Sequence, residues 1–196
     1  MLAPMKHASV KKGYFTWNHI HVSEFMEGLE TDCVTPDGSR LRIRPLRSSD
    51  ENAWLEFVNG LSPDSLYHRL FEVRKGMSHS DAVHYLDIDP EKRMAMVVVI
   101  PGEKSDRMVA IARYELIPDT KIGEFAIVVA DDFQDKGVGT FLFNRLYAYA
   151  KSNGIEEFVA EVLQDNERMM ELFRNSGLSM ETRLESGTWL VRLRFT

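Results

Sequence analysis

The stretch from Glu124 to Thr140 limits what this chain can fold into more than any other. Glu124-Phe125-Ala126-Ile127-Val128-Val129 reads as a strand, and Gln134-Asp135-Lys136-Gly137-Val138-Gly139-Thr140 as a glycine-containing loop that opens a helix. A helix amino terminus leaves its first backbone N–H groups unpaired, and its aligned peptide dipoles add partial positive charge. Phosphate oxygens bind readily at such an end. Gly137 and Gly139 let the backbone approach a pyrophosphate with no Cβ in the way. Lys136 adds a point charge, whereas Asp131, Asp132 and Asp135 do not obviously help an anion bind. A G-x-G before a helix is a weak signal, and a helix-packing glycine pair is its commoner explanation. No G-x-x-x-x-G-K-[ST] loop occurs, and the third glycine of a dinucleotide fingerprint is missing.

The surrounding pattern defines an α+β chain. Arg40-Leu41-Arg42-Ile43-Arg44 alternates as a half-buried strand does, and Pro45 ends it. Ser48 to Glu51 opens a helix through Phe57 and Val58, Ser62-Pro63-Asp64-Ser65 starts a second, and Ser78 to Asp81 caps a third ending near Leu86. Met94–Ile100, Met108–Leu116 and Glu124–Ala130 are apolar runs of strand length, spaced as an antiparallel meander. Val138, Phe141, Leu142, Leu146 and Tyr149 recur at helical spacing up to Asn153-Gly154. Ile155–Leu163 is a strand, Asn166 caps a helix through Phe173 that Gly177 terminates, and Met180 and Trp189–Phe195 belong to closing strands. Thr35-Pro36-Asp37-Gly38 is a strong turn signal, so residues 1–38 are expected to form an extension and residues 39–196 the main domain.

Composition removes several function classes. The formal net charge is −6 with no Lys/Arg-rich block, which argues against nucleic acid as a partner. No run approaches the roughly 18 apolar residues of a membrane span. Met1 to Val10 lack an apolar run of signal-peptide length. Cys33 is the only cysteine, so no intrachain disulfide can form. The expectation is a cytoplasmic protein without a metal.

Gln134-x-x-Gly137-x-Gly139 after a strand resembles the Q/R-x-x-G-x-G/A signature of the GNAT acetyltransferase superfamily. Asn166 and Phe173-Arg174-Asn175-Ser176-Gly177-Leu178 resemble that family's next block, at the right spacing. Ile43-Arg44-Pro45-Leu46, Leu61-Ser62-Pro63-Asp64-Ser65, Arg69-Leu70-Phe71 and Glu124-Phe125-Ala126 extend the likeness to the acetyltransferase domain of bacterial protein lysine acetyltransferases, the Pat group. The resemblance covers residues 40–196. It implies a mixed, mostly antiparallel sheet, splayed at a cofactor cleft and flanked by helices on both faces. It also implies acetyl-CoA as acyl donor. The β-strand edge at Ile127, Val128 and Val129 would bond the pantetheine amides, Gln134 to Thr140 would wrap the pyrophosphate, and Asn166 would bond the pantetheine arm. A backbone N–H near Val129 would stabilise the thioester oxyanion.

Acyl transfer to an amine needs a base, because an alkylammonium is almost wholly protonated at neutral pH. Glu124 is the candidate: it stands in an otherwise apolar strand where burial would raise its pKa, and related acetyltransferases place a glutamate there. Many family members protonate the leaving thiolate with a tyrosine where this chain has Phe173, which cannot do so. The acceptor is expected to be a primary amine, a protein lysine ahead of a small-molecule amine. A non-catalytic acyl-CoA sensor is the alternative. Met169 and Met170 are candidates for the acyl pocket. His19, His21 and Cys33 give a weak metal pattern, and His79 and His84 are expected to serve surface or packing roles. Tyr14, Phe15 and Trp17 would anchor the extension on its own domain or on a second subunit, as in a homodimer; the sequence does not choose.

Overall fold

The computed structural model describes residues 28–195, except 36, 37, 74, 75 and 90, and of His84 only the backbone. The expectations for Tyr14, Phe15, Trp17, His19 and His21 lie outside these residues. The elements run β1 (Thr31–Val34), β2 (Arg40–Pro45), α1 (Glu51–Asn59), α2 (Pro63–Leu70), α3 (His79–Leu86), β3 (Arg93–Ile100), β4 (Arg107–Leu116) and β5 (Ile122–Val129). There follow α4 (Val138–Ser152), β6 (Glu157–Leu163), α5 (Glu167–Arg174), β7 (Ser179–Glu185) and β8 (Thr188–Arg194).

Local chemistry explains the helix boundaries. Ser62 accepts the Ser65 N–H at the start of α2, with Pro63 in the first turn, where no N–H is missed. Ser78 and Asp81 form a reciprocal capping box on α3. Asn166 caps α5 by accepting the Met169 N–H at 3.1 Å. Helix α4 stops at Asn153, and Gly154 follows in the left-handed region at φ +80°.

The strands form one sheet of 8 in the order β1-β2-β3-β4-β5-β6-β8-β7. Neighbours are antiparallel except β5 and β6, which are parallel because α4 carries the chain across between them. The strand β1 pairs with β2 from Thr31↔Ile43 to Val34↔Arg40, so the division expected at residue 38 falls in the turn of a hairpin. A four-residue strand bounded by polar turns carries too little period to be read from sequence.

Strand β3 is buried on both sides, and its alternation assigns residues to two cores. Met94, Met96 and Val98 face the layer of α4 and α5, with Phe125, Leu142, Leu146, Phe158 and Phe173. Ala95, Val97 and Val99 face the layer of α1 to α3, with Trp54, Phe57, Leu66 and Ile111. Helices thus cover both faces of a mixed sheet, as expected.

Candidate active site

The site begins where the sheet opens. Strand β5 pairs with β4 along its whole length, from Leu116↔Gly123 to Ala110↔Val129. With β6 it pairs only at Ile122↔Glu157, Gly123↔Phe158 and Glu124↔Val159. Beyond Glu124 the two strands diverge, and the β6-facing backbone edge of Ala126 to Val129 leaves the ladder. Gly123 lets the strands meet tightly just before the opening. A Cβ there would lie 3.1 Å from the Phe158 ring and 3.2 Å from Tyr114 Cβ, tighter than ordinary packing.

The wedge between the strands is a cleft of about 420 Å³. It is lined by Ile127, Val128 and Val129 of β5, by Gln134, Asp135, Gly137, Gly139 and Thr140, and by Asn166, Arg168 and Met169. Nine residues expected at a cofactor site therefore share one wall, drawn from a strand, a loop and a helix terminus. Two others do not: Val138 is buried in the core, and the Lys136 ammonium lies 5.2 Å over the Phe133 ring. The charge of Lys136 is thus held by its neighbour's π-face rather than turned into the cleft. Met169 lines the cleft while Met170 is buried among core residues.

The loop conformation follows from Gly137, whose φ of +79° caps α4 in the left-handed region. A Cβ built there would meet nothing within 4 Å. Backbone conformation, not crowding, is what demands glycine there. At Gly139 a Cβ would make only ordinary contact, 3.6 Å from Val129 Cγ2. Asp135 also adopts a positive φ, 58°, and its carboxylate pairs with Arg168 at 3.3 Å.

Helix α2 closes the opposite side with Asp64, Ser65, His68 and Arg69, residues that sequence reasoning did not assign to the site. Gln134 donates its side-chain N–H groups to Ser65 Oγ at 3.0 Å and to the Val129 carbonyl at 3.1 Å. The Val129 carbonyl, expected to serve pantetheine, is therefore already an acceptor within the protein. Asp131 accepts from the Ser62 N–H at 2.9 Å, Ser62 Oγ at 2.7 Å and Ser65 Oγ at 2.7 Å. Burial pushes the Asp131 carboxyl up, but these hydrogen bonds outweigh it and hold it below the usual carboxylate range. His68 spans the cleft mouth, with Nε2 at 3.0 Å from Asp165 Oδ1 and Nδ1 at 3.5 Å from Asp64 Oδ2. The sequence marks α2 as a helix at Ser62-Pro63-Asp64-Ser65, but only its likeness to the family around Leu61 to Phe71 hinted at a place near the site.

Glu124 does not line this cleft. It is exposed, contrary to the burial its apolar strand suggested. Its strand neighbours are in place on both sides, Glu115 on β4 and Val159 on β6, so its exposure means that no helix layer covers that part of the sheet face. Phe173 is 0% exposed and packs edge-on against Phe125 at 5.9 Å and Phe143 at 6.1 Å. Cys33 is half-buried on β1, where burial raises its thiol above the ordinary value and disfavours the nucleophilic thiolate. His79 pairs with Glu51 at the surface. Among the described residues no group of three or more His, Cys, Asp and Glu side chains is gathered as a metal site, and no helix is long and apolar enough to cross a membrane.

A parallel strand pair that splays into a cleft floored by a glycine-turned helix terminus defines an acyltransferase drawing its acyl group from a CoA thioester. The chain belongs to the acetyltransferase (GNAT) family, whose pattern matches residues 63–178, and it is an N-acetyltransferase of that type. It is 31% identical over 136 residues to an acetyltransferase of Pseudomonas aeruginosa, covering 69% of this chain and 73% of that one. It is 28% identical over 145 residues to the acetyltransferase Pat of Mycolicibacterium smegmatis, covering 71% of this chain but only 41% of that longer protein. Among solved structures, the GNAT domain of S. lividans PAT is similar with a TM-score of 0.77 and 28% identity, covering 86% of this chain and 98% of that domain.

Proposed function

We propose that the protein moves an acetyl or other short acyl group from CoA to a primary amine, a protein lysine in preference to a small-molecule amine, by direct attack. The observation that carries this reading is the divergence of β5 from β6 immediately after Glu124. An unpaired strand edge suits a ligand that carries its own amide groups, as pantetheine does. Ile127 and Val129 turn their backbone groups to that edge, the Val129 carbonyl being already bonded internally, while the backbone groups of Val128 face Ile111 on β4 and only its side chain lines the cleft. The Gln134–Thr140 turn supplies helix-terminal N–H groups for the pyrophosphate. Asn166 Oδ1 is engaged in capping, which leaves its amide N–H groups for the cofactor arm.

Glu124 stands at the point where the strands part. It takes a proton from the acceptor ammonium, directly or through water. The amine nitrogen then attacks the thioester carbon, the C–N bond forms, the nitrogen gives its second proton to solvent, and the C–S bond breaks to release CoA thiolate. Phe173 cannot protonate that thiolate, but a thiol pKa near 8.5 makes it a tolerable leaving group without an acid. The likeness of residues 40–196 to protein lysine acetyltransferase domains favours a lysine acceptor. In this reading residues 39–196 carry the catalytic domain in the cytoplasm, β1 extends the sheet edge, and no metal takes part.

Incubation with radiolabelled acetyl-CoA and two acceptor pools, whole-cell protein and small amines, tests the proposal. Label on protein is expected. Label confined to small amines would move the acceptor class. Label in neither pool, with acetyl-CoA bound, would replace the enzyme by a sensor of the cofactor, a reading that the buried Phe173 also allows.

A further inference from the structure

Two arginines from different elements converge on the face of the sheet that carries Glu124. The Arg69 guanidinium, from α2, lies 5.9 Å from the ring centroid of Tyr85 on α3, and that of Arg113, from β4, lies 5.3 Å from it. Tyr85 is itself stacked on Trp54 at 5.1 Å. These side chains line a narrow cavity of about 20 Å³, walled otherwise by apolar groups such as Leu66, Ile111 and Ala126. That is room for roughly one small polar group. Arg69 and Val128 also line the larger cleft, so the two spaces meet at them.

The charge arrangement is unusual for a packed wall. Among the described residues the Arg69 side chain makes no hydrogen bond or ion pair. Arg113, with its side chain 11% exposed, has one ion pair, to Glu115 at 3.7 Å, which is too long for a hydrogen bond. Burial holds both guanidiniums below their ordinary values, and Glu124 acts on each from a distance. Arg93, the other cation near Arg113, is turned towards Asp87 at 3.7 Å and Glu115 at 4.0 Å. A tyrosine face attracts a cation but accepts few of a guanidinium's five N–H donors. Like charges drawn together and short of acceptors are costly, and an anion between them relieves the cost.

We propose that Arg69 and Arg113 form a carboxylate subsite, so that the preferred acceptor is a primary amine with a carboxylate close by. This rests on the acyl-transfer reading above. Glu124 and Ala126 lie two residues apart on one face of β5, on the order of 7 Å. An amine at Glu124 and a carboxylate over Ala126 are therefore separated by the reach of one side chain. Guanidinium forks match carboxylates with paired hydrogen bonds, which a lone ammonium could not do.

Two acceptor pairs matched except for the anion test the subsite: lysine peptides with Glu or Gln beside the lysine, and free lysine against its decarboxylated diamine. In at least one pair the anionic member is expected to have a kcat/KM about tenfold higher or more. Preference confined to the peptides assigns the carboxylate to a neighbouring residue, and preference confined to the small amines assigns it to the acceptor itself. Arg69→Gln and Arg113→Gln should each shrink the ratio to about twofold or less. Arg113→Lys, which keeps the charge and loses the fork, should give an intermediate ratio and covers the case of a misfolded Gln variant. Equal rates within both pairs, or a preference that survives both Gln substitutions, would overturn the subsite while leaving acyl transfer intact. Acetylation of none of the four acceptors would overturn the acyl-transfer reading, and the subsite with it.

Discussion

Ser65 Oγ donates to Asp131 Oδ1 at 2.7 Å while accepting the Gln134 amide at 3.0 Å. One hydroxyl on α2 therefore ties that helix to both ends of the turn that follows β5. Gln134, held at its tip, also clamps the Val129 carbonyl. The geometry of the Gln134–Thr140 turn is thus set from across the cleft and not by the turn alone.

The first prediction uses the sign of the Asp131 shift. Its folded carboxyl titrates below the ordinary range, held there by Ser62 and Ser65 against the effect of burial. A depressed carboxylate contributes stability that is complete above its unfolded value, roughly 3.9, and is lost as pH falls through the folded value. Wild type should therefore be more stable than Asp131→Asn at neutral pH, by denaturant unfolding, with the gap closing below about pH 4. A gap that stays constant through that range would mean the ionised form is not what the serines hold.

Gly137 separates strain from ligand contact. Its φ of +79° makes Gly137→Ala cost about 1–2 kcal/mol although the Cβ meets no atom within 4 Å. Gly137→Asn, tolerant of that conformation, should lose less. Gly137→Asp adds a negative charge beside the proposed pyrophosphate and should weaken CoA binding more than about tenfold. A pantetheine fragment without the pyrophosphate should bind the Asp variant almost as it binds wild type. Titration calorimetry with CoA and the fragment checks this, and unaltered CoA affinity in a folded Gly137→Asp would mean the loop is misassigned.

Asn166 has a capping role in the structure and a cofactor role only in the proposal. Asn166→Ala should lose about 1 kcal/mol of stability with the cap. Asn166→Asp keeps an acceptor for the Met169 N–H but removes the amide donors. It should therefore retain thermal stability and bind acetyl-CoA more weakly. Wild-type affinity in both variants would leave the residue with the helix alone.

Glu124→Gln tests the base. Shape and acetyl-CoA affinity should be preserved, because the residue lies outside the cleft lining. Turnover at neutral pH should drop by roughly two to four orders of magnitude. Part of the deficit should return at high pH, where more of the amine is free. Wild-type turnover in the variant would leave acyl transfer to positioning by the strand and the loop.

Much of the fold was legible along the chain because its signals are local. The strand runs from Met94 to Ala130, the caps at Ser62, Ser78 and Asn166, and the Gln134–Gly139 turn each depend on side chains within a few residues. Glu124 was correctly assigned to a strand, but its burial was misjudged. Periodicity records which face a residue occupies, not whether the helix layer on that face reaches far enough to cover it.

The helical start at Val138 and its need for glycine at Gly137 follow from backbone dihedrals, which nearby residues govern. The composition of the cleft does not. Ser65 and Gln134 are 69 residues apart, and His68 and Asp165 are 97 apart. Arg69 and Arg113 come to line one cavity only because α2 packs on the sheet face at β5, beside β4. Such contacts arise when two layers close on one sheet, and no pattern within either segment encodes the other's position. The chain therefore carried its glycine turn in plain view, while the opposite wall of the cleft came into being only on packing.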